Sequence, residues 1–284
     1  MAAQDYVIIE LDKVYKIFGP QPRGRALQLA KSGMRKNDVQ AQTEHVVGMT
    51  NVSFQVNRGE TFVIMGLSGS GKSTAIRTVN KLHDITDGHV WVDGVDVQAL
   101  SGPPLQQFRR EKMGMVFQHF ALFPHRSVID NTGYGLKVQG VDKTARDEAS
   151  MRALNLVGLG SFAKSMPREL SGGMQQRVGL ARALAADPDV LLMDEALSVG
   201  DKQFRARSIE RVNELRESAG TVIMASHSMA SITKAADQVL WLQDGKVRAL
   251  GDPEEVTTAY AEETEAKRNT IKRVKRGKVS GLDG

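Results

Sequence analysis

The chain has 284 residues, of which 41% are hydrophobic and none is cysteine, and its formal net charge is +5. This size and composition allow one large α/β domain or two smaller ones with a sizeable core. Without cysteine, disulfides and thiolate metal sites are excluded. The first residues lack the basic start and apolar run of a signal peptide. No apolar stretch approaches the ~20 residues of a membrane span, so any work at a membrane would need a spanning partner.

The positive charge is concentrated in two segments. Between 19 and 47 there are five Lys or Arg against two Asp or Glu, and from 262 to the end there are seven against four. The rest of the chain is nearly neutral. The last segment is either a solvated extension or a surface that contacts anionic lipid.

The N-terminal region predicts a strand over 7–11 that leads to an aromatic residue, Phe18. An aromatic side chain just ahead of a nucleotide site can stack on adenine, although Phe18 would also fit as a core residue. The basic segment that follows predicts a weakly amphipathic helix over 26–34. Two further strands are predicted over 52–56 and 61–65.

A phosphate-binding loop follows the strand over 61–65. It fills the pattern G-x-x-x-x-G-K-[ST] between a buried strand and a helix, the context that this motif needs. Its glycines let backbone N–H groups face an anion, and the helix N-terminus adds partial positive charge. Lys72 supplies a point charge for the β- and γ-phosphates, and the Ser73 hydroxyl can ligate Mg²⁺. We expect nucleotide contacts from Gly66, Ser68, Gly69, Ser70, Gly71, Lys72, Ser73 and Thr74.

A second glycine-containing motif, Leu-Ser-Gly-Gly-Met-Gln-Gln-Arg, occupies 170–177. Ser171 is typical of a helix N-cap, and Gly172 and Gly173 allow close backbone approach. The motif therefore predicts a second anion site at a helix N-terminus. One nucleotide needs only one such cradle, so the residues alone leave the purpose of the second one open.

A pair of carboxylates, Asp194 and Glu195, follows the apolar run at 190–193. At the carboxyl end of a buried strand, Asp194 suits Mg²⁺ coordination. Glu195 could hold the attacking water and accept its proton. The alternative is a solvated helix cap.

The remaining pattern alternates between strands and helices. Strands are predicted over 88–94, 113–117, 221–225 and 238–242, and helices over 172–185, 202–217 and 229–236, with a helix-rich stretch from 118 to 171. Such alternation predicts a mostly parallel sheet with helices on both faces. We expect an α/β fold with one ATP-binding domain over 1–260, a helical subdomain at about 102–175, and a basic tail over 261–284.

The ordered set of motifs resembles the ATP-binding-cassette (ABC) ATPases over residues 5–260, and residues 170–177 match the family signature. The resemblance implies a P-loop NTPase fold with an added antiparallel β subdomain, and ATP with Mg²⁺ as cofactors. It implies that Ser171 and its glycines face the γ-phosphate held by an opposing subunit. Gln118 matches the Q-loop residue, which senses Mg²⁺ and contacts a transmembrane partner. His227 matches the switch histidine, and Phe18 the adenine-stacking aromatic.

The two parts of the chain resemble different subfamilies of these ATPases. Residues 5–195 resemble the ATPase of glycine betaine and proline betaine importers, including the segment after Phe18. From 197 onward, Leu-Ser-Val-Gly-Asp replaces the usual Ser-Ala-Leu-Asp of the D-loop and resembles the ATPases of polysaccharide exporters.

The resemblance implies an ATP-hydrolysing subunit, peripheral to the cytoplasmic face of the inner membrane, that energises import of glycine betaine, proline betaine or choline. Its expected partners are transmembrane permease subunits, a second ATP-binding subunit and, indirectly, a solute-binding protein. The ATPase of a polysaccharide exporter is the first alternative. A soluble ABC ATPase acting on nucleic acid is the second, although we expect no nucleic-acid partner.

Overall fold

The computed structural model describes residues 6–117, 121–194, 220–226 and 229–279. In these ranges the strands are β1 (Val7–Phe18), β2 (Val46–Asn57), β3 (Thr61–Met65), β4 (Asp87–Val92), β5 (Val95–Asp96), β6 (Met113–Val116), β7 (Val190–Met193), β8 (Thr221–Ser226), β9 (Gln238–Gln243) and β10 (Lys246–Gly251). The helices are α1 (Arg25–Lys31), α2 (Lys36–Thr43), α3 (Lys72–Val79), α4 (Gly102–Lys112), α5 (Val128–Thr132), α6 (Tyr134–Val138), α7 (Lys143–Leu156), α8 (Gly172–Leu184), α9 (Met229–Ala235) and α10 (Pro253–Val279). The helix predicted over 202–217 lies outside the described residues.

The larger sheet is mostly parallel, as predicted. Its six strands run in the order β10-β9-β3-β8-β7-β6, and every neighbouring pair is parallel except the edge pair of β10 and β9. All residues of β3, β7 and β8 are buried. A parallel sheet covered on both faces needs such continuous apolar runs rather than an alternating pattern.

The smaller sheet is antiparallel, with strands in the order β2-β1-β4-β5. Much of β2 alternates between buried and exposed residues, as expected of a strand with one covered face. Phe54 of this sheet stacks on Phe62 of β3 with 5.0 Å between ring centroids. The two sheets therefore share one apolar core, which includes Ile8, Ile9 and Ile76.

The helices α5, α7 and α8 pack on one another, and α8 also packs on β6. Leu154 of α7 and Val178 of α8 are fully buried in this second core. The predicted subdomain range of 102–175 also contains β6, which is the edge strand of the parallel sheet. The separate helical layer therefore begins after β6.

The basic segment after β1 folds as two helices. The helical run predicted over 26–34 ends at Lys31, and α2 was not predicted. Gly33 has φ of 88° and Arg35 is extended, which separates α1 from α2. At the other end of the chain, the predicted tail boundary at 260 falls inside α10, where Tyr260 meets Trp241 edge-on at 5.2 Å. Within the described ranges, no helix combines the length and hydropathy needed to cross a bilayer.

Candidate functional site

The predicted phosphate-binding residues lie at the carboxyl edge of the parallel sheet. Met65 at the end of β3 pairs with Ser226 of β8, and Met193 at the end of β7 pairs with Met224 of β8. The P-loop leaves β3 and Asp194 leaves β7, with β8 between them. In open α/β sheets this edge is where ligands bind.

The loop between β3 and α3 depends on glycine at two positions. Gly66 has φ of 146°, and a Cβ there would lie 2.2 Å from the Leu242 carbonyl oxygen. Gly71 has φ of 109°, and a Cβ there would lie 2.8 Å from the Gly48 carbonyl oxygen. Both positions combine a left-handed backbone with close backbone approach, which only glycine accommodates. The loop conformation is therefore fixed by these glycines and by the strands beside them.

Lys72 is buried, with 5% of its surface exposed. Its Nζ donates to the carbonyl oxygens of Gly66, at 3.0 Å, and Leu67, at 3.1 Å. The ammonium group is thus held against the loop that precedes it. A positive charge fixed in this cradle is placed to bind an anion with little reorganisation.

Asp194 is fully buried and pairs with Arg77 of α3. Its Oδ2 accepts from Arg77 Nε at 2.9 Å, and Arg77 Nη2 lies 2.7 Å from the same oxygen. Within the described part of the chain, Asp194 Oδ1 has no hydrogen-bond partner. A buried carboxylate oxygen that is left unsatisfied has a free-energy cost, so the site suits a cation or a water at Oδ1.

The residues present fit a magnesium ion. Ser73 lies one helical turn before Arg77, so the two share a face of α3, and Arg77 connects that face to Asp194. Carboxylate and hydroxyl oxygens are ligands that Mg²⁺ accepts, with phosphate oxygens and water completing the shell. The described ranges hold no group of three His, Cys, Asp or Glu that could bind a metal unaided.

A cavity of about 560 Å³ adjoins the P-loop. Its lining includes the predicted residues Phe18, Ser68, Gly69, Gly71, Lys72, Ser73 and Thr74. Lys16 Nζ lies 4.6 Å from the centre of the Phe18 ring, and His83 meets that ring edge-on at 5.2 Å. Burial lowers the pKa of His83, and the charges of Lys16 and Arg77 lower it further. Phe18 itself is half-buried at the cavity wall, where its aromatic ring could contact a base.

Three residues of α2 line the same cavity and were missed from the sequence: Lys36, Asn37 and Gln40. The helix has one fully buried apolar residue, Val39, so it carries little periodic signal. The positive charge of the segment was the available clue, since Lys36 is part of it.

The signature motif lies at the start of α8, as predicted. Ser171 is the N-cap, and its Oγ accepts from the Met174 backbone N–H at 3.3 Å. Ser171 and Gly172 are exposed, and none of residues 171–173 lines the cavity at the P-loop. Because α8 packs on α5, α7 and β6 whereas α3 packs on β2, β4 and β8, the two glycine motifs belong to different parts of the fold.

Three predicted site residues, Gln118, Glu195 and His227, lie outside the described residues, as does the segment over 197–201. In the sequence they follow β6, β7 and β8, parallel strands whose carboxyl ends lie at the same sheet edge as the P-loop.

Comparisons with known proteins identify the family of this chain. A family model described as ABC transporter matches residues 49–198. The glycine betaine transport ATP-binding protein OpuAA of Bacillus subtilis is 45% identical over 87% of this chain and 59% of its own length. The glycine betaine/proline betaine transport system ATP-binding protein ProV of Escherichia coli is 43% identical over 87% of this chain and 62% of its own length. The chain thus spans about three fifths of these relatives.

A further relative is matched over more of its length. The trimethylamine N-oxide transport system ATP-binding protein TmoW of Ruegeria pomeroyi is 40% identical over 89% of this chain and 75% of its own length. Among solved structures, the fold matches the ATP-binding cassette MJ0796 in a dimeric post-hydrolysis state bound to ADP and Pi. The TM-score is 0.74 at 28% identity, covering 86% of this chain and 98% of that one. This chain belongs to the ABC transporter family, as an ATP-binding domain of the cassette fold.

Proposed function

We propose that this protein hydrolyses ATP to energise an ABC transporter that imports methylated amines of the glycine betaine, proline betaine or choline type. The observation that carries ATP hydrolysis is that one sheet edge holds both a buried lysine and a buried carboxylate. Lys72 is held in the P-loop, and Asp194 presents Oδ1 from the end of β7. Phosphoryl transfer in P-loop proteins uses a phosphate-binding lysine and a metal-binding carboxylate, and this arrangement supports assigning those two roles to Lys72 and Asp194.

Each residue has a defined part in this proposal. Lys72 and the loop N–H groups bind the phosphates, while Ser73, Asp194 and Gln118 would hold Mg²⁺. When bound, that ion neutralises charge on the β- and γ-phosphates. Arg77 occupies Oδ2 of Asp194 and so orients the carboxylate. The sequence-based roles remain that Glu195 accepts a proton from the attacking water and that His227 contacts the γ-phosphate.

In this proposal a second copy of the chain completes the ATP site at the P-loop. Ser171 and Gly172 are exposed at the start of α8, where orphan N–H groups and the helix dipole favour an anion. They lie apart from the cavity of their own chain, which supports a role at the P-loop of another chain. The dimeric state of the related cassette bound to ADP and Pi supports the same arrangement.

The transported solute is inferred from relatives. The glycine betaine and trimethylamine N-oxide proteins serve solutes that share a methylated nitrogen. In this proposal the cassette works at the cytoplasmic face of the membrane and has no solute pocket of its own. Permease subunits and a solute-binding protein set specificity, and Gln118 links the state of the γ-phosphate to the permease.

The test has a biochemical arm and a transport arm. Glu195→Gln should keep ATP bound and lower hydrolysis by 10²–10⁴-fold, the typical cost of removing a general base. Uptake of labelled glycine betaine should require this chain together with a betaine-type permease and binding protein. A polysaccharide-exporter permease and added nucleic acid serve as comparisons. Stabilisation or stimulation by either of these alone would contradict the import proposal.

A further inference from the structure

The basic segment after β1 contributes a wall to the nucleotide cavity. Helix α2 supplies Lys36, Asn37 and Gln40 to the lining that also contains Phe18 and the P-loop. Among the described residues that line the cavity, the charged side chains are those of Lys36 and Lys72, so this part of the wall is cationic. Its volume of about 560 Å³ lies within the 300–1,000 Å³ of typical small-molecule sites.

Helix α2 is fixed to the site at its first residue. Lys36 Nζ donates to the carbonyl oxygen of Gly69 in the P-loop at 3.3 Å and pairs with Asp244 Oδ1 at 3.1 Å. The next residue, Gly245, donates its N–H to the Ser70 carbonyl oxygen at 3.0 Å. The start of α2, the P-loop and the turn between β9 and β10 are therefore joined by direct polar contacts.

The middle of α2 is fixed by packing. Val39 is fully buried in a cluster with Ile17 of β1 and Val47 of β2. The helix ends at Thr43, and its C-cap residue Glu44 has a left-handed backbone with φ of 59°. Because one side of α2 is buried against these strands, its cavity-facing residues are held in place rather than free to move away.

The two amides of this wall suit the nucleoside half of a nucleotide. Asn37 and Gln40 are three residues apart, so they share one helix face, and both are exposed. A carboxamide has two N–H donors and an acceptor oxygen, which match the edge of a base and the hydroxyls of ribose. The phosphates are already provided for by the P-loop.

We propose that α2 contacts the base and ribose of the bound nucleotide, with Asn37 and Gln40 as the residues that recognise this nucleoside moiety. Phe18 would lie against the face of the base. This inference rests on the proposed function, since it takes ATP as the ligand of the cavity. It adds a nucleoside-recognition element that lies outside the P-loop, in the basic segment between β1 and β2.

The test measures binding of two probes, ATP and inorganic tripolyphosphate, each with Mg²⁺. In the double variant N37A/Q40A, loss of two hydrogen bonds should weaken ATP binding about tenfold. Tripolyphosphate has no nucleoside, so its binding should not change. The matched control is Gln42→Ala on the same helix, because Gln42 faces Arg25 and Met34 and does not line the cavity. This control should bind both probes as the wild type does.

Each outcome separates the two proposals. Equal ATP binding by N37A/Q40A and the wild type would overturn the nucleoside assignment, and so would an equal loss for ATP and tripolyphosphate. A wild-type protein that binds no ATP would overturn the proposed function, and this inference with it. Both substituted residues are exposed, and unchanged thermal unfolding of the double variant would establish that any loss is local.

Discussion

The two glycine motifs of this chain are both helix N-termini, yet they are built differently. In the P-loop, Gly66 and Gly71 have positive φ and lie close to the backbone of neighbouring strands and turns. Lys72 is buried and donates to carbonyl oxygens of the same loop. In the signature motif, Gly172 has open space around it, Ser171 caps its own helix, and both residues are exposed. One motif adjoins a cavity and the other faces outward.

The difference shows why a helix N-terminus alone is not a ligand site. The P-loop has a buried charged side chain, a carboxylate at the same sheet edge and a cavity lined by other parts of its own chain. The signature motif has the orphan N–H groups of a helix start, and among the described residues nothing lies within 4 Å of a Cβ placed at Gly172. We therefore regard the first as a nearly complete half-site and the second as a half-site that needs another surface.

Among substitutions that distinguish the two motifs, removing Lys72 should have the largest effect. Lys72→Ala removes the fixed positive charge from the cradle, and loss of such electrostatic stabilisation typically costs 10²–10³-fold in turnover. Steady-state ATP hydrolysis is the measurement. Lys81→Ala is the matched control, because Lys81 also donates to two carbonyl oxygens, those of Gln98 and Leu100, but does not line this cavity. Full activity of Lys72→Ala would contradict the assignment of the cradle.

Removing Arg77 tests whether the buried carboxylate depends on its partner. Arg77→Met leaves Asp194 buried and unpaired, which should lower the free energy of unfolding by about 3 kcal/mol. Urea denaturation measures this change. The double variant R77M/D194N removes the stranded charge and should recover most of the loss. A single variant as stable as the wild type would show that Asp194 does not need the pair.

Two substitutions of Ser171 can separate its effect on stability from its effect on ATP hydrolysis. Ser171→Ala removes the N-cap of α8 and should lower the free energy of unfolding by about 1 kcal/mol. Ser171→Asn keeps a capping side chain and should restore stability. If Ser171 also contacts a nucleotide on another chain, Ser171→Asn should remain impaired in hydrolysis. If Ser171→Asn restored both stability and hydrolysis, Ser171 would act only as a helix cap.

The smallest expected effect is on the pH dependence of stability, and it comes from His83, which contacts Phe18 near the P-loop. Burial lowers the pKa of His83 below its ordinary value of 6.5, so the unfolded chain takes up this proton first as pH falls. Stability from neutral His83 is therefore present above about pH 6.5 and decreases as pH falls from there to the folded pKa. Urea denaturation from pH 7.5 to 5 should show a shallower decrease for His83→Asn than for the wild type. Parallel profiles would contradict this coupling.

The sequence predicted the parts of the fold that depend on strong local signals. The buried strands β3 and β7, the P-loop and the N-cap at Ser171 all follow from short patterns with known physical causes. The cassette family and its betaine-transport relatives were also expected, and the comparisons confirmed both. The roles of the individual site residues remain predictions.

The contribution of α2 could not be read from the sequence. Its position depends on Lys36 contacting Gly69 and Asp244, which are distant in the chain. With Val39 as its one fully buried residue, α2 has almost no apolar periodicity. Similarly, the pairing of Arg77 with Asp194 spans 117 positions and arises only when α3 and β7 meet.

We propose that the P-loop of one chain is completed by the signature motif of another, and cysteine cross-linking can detect that contact. The chain has no native cysteine, so the background is clean. Leu67 is 60% exposed at the P-loop, and a Cβ at Gly172 would meet nothing within 4 Å, so both positions accept cysteine.

The two variants, Leu67→Cys and Gly172→Cys, are made on a Glu195→Gln background, which we expect to retain ATP. They are then mixed and oxidised with and without MgATP. We predict a disulfide-linked dimer in the mixture with MgATP and none from either variant alone. Equal cross-linking without nucleotide, or no cross-linking in an ATP-bound mixture, would contradict the account.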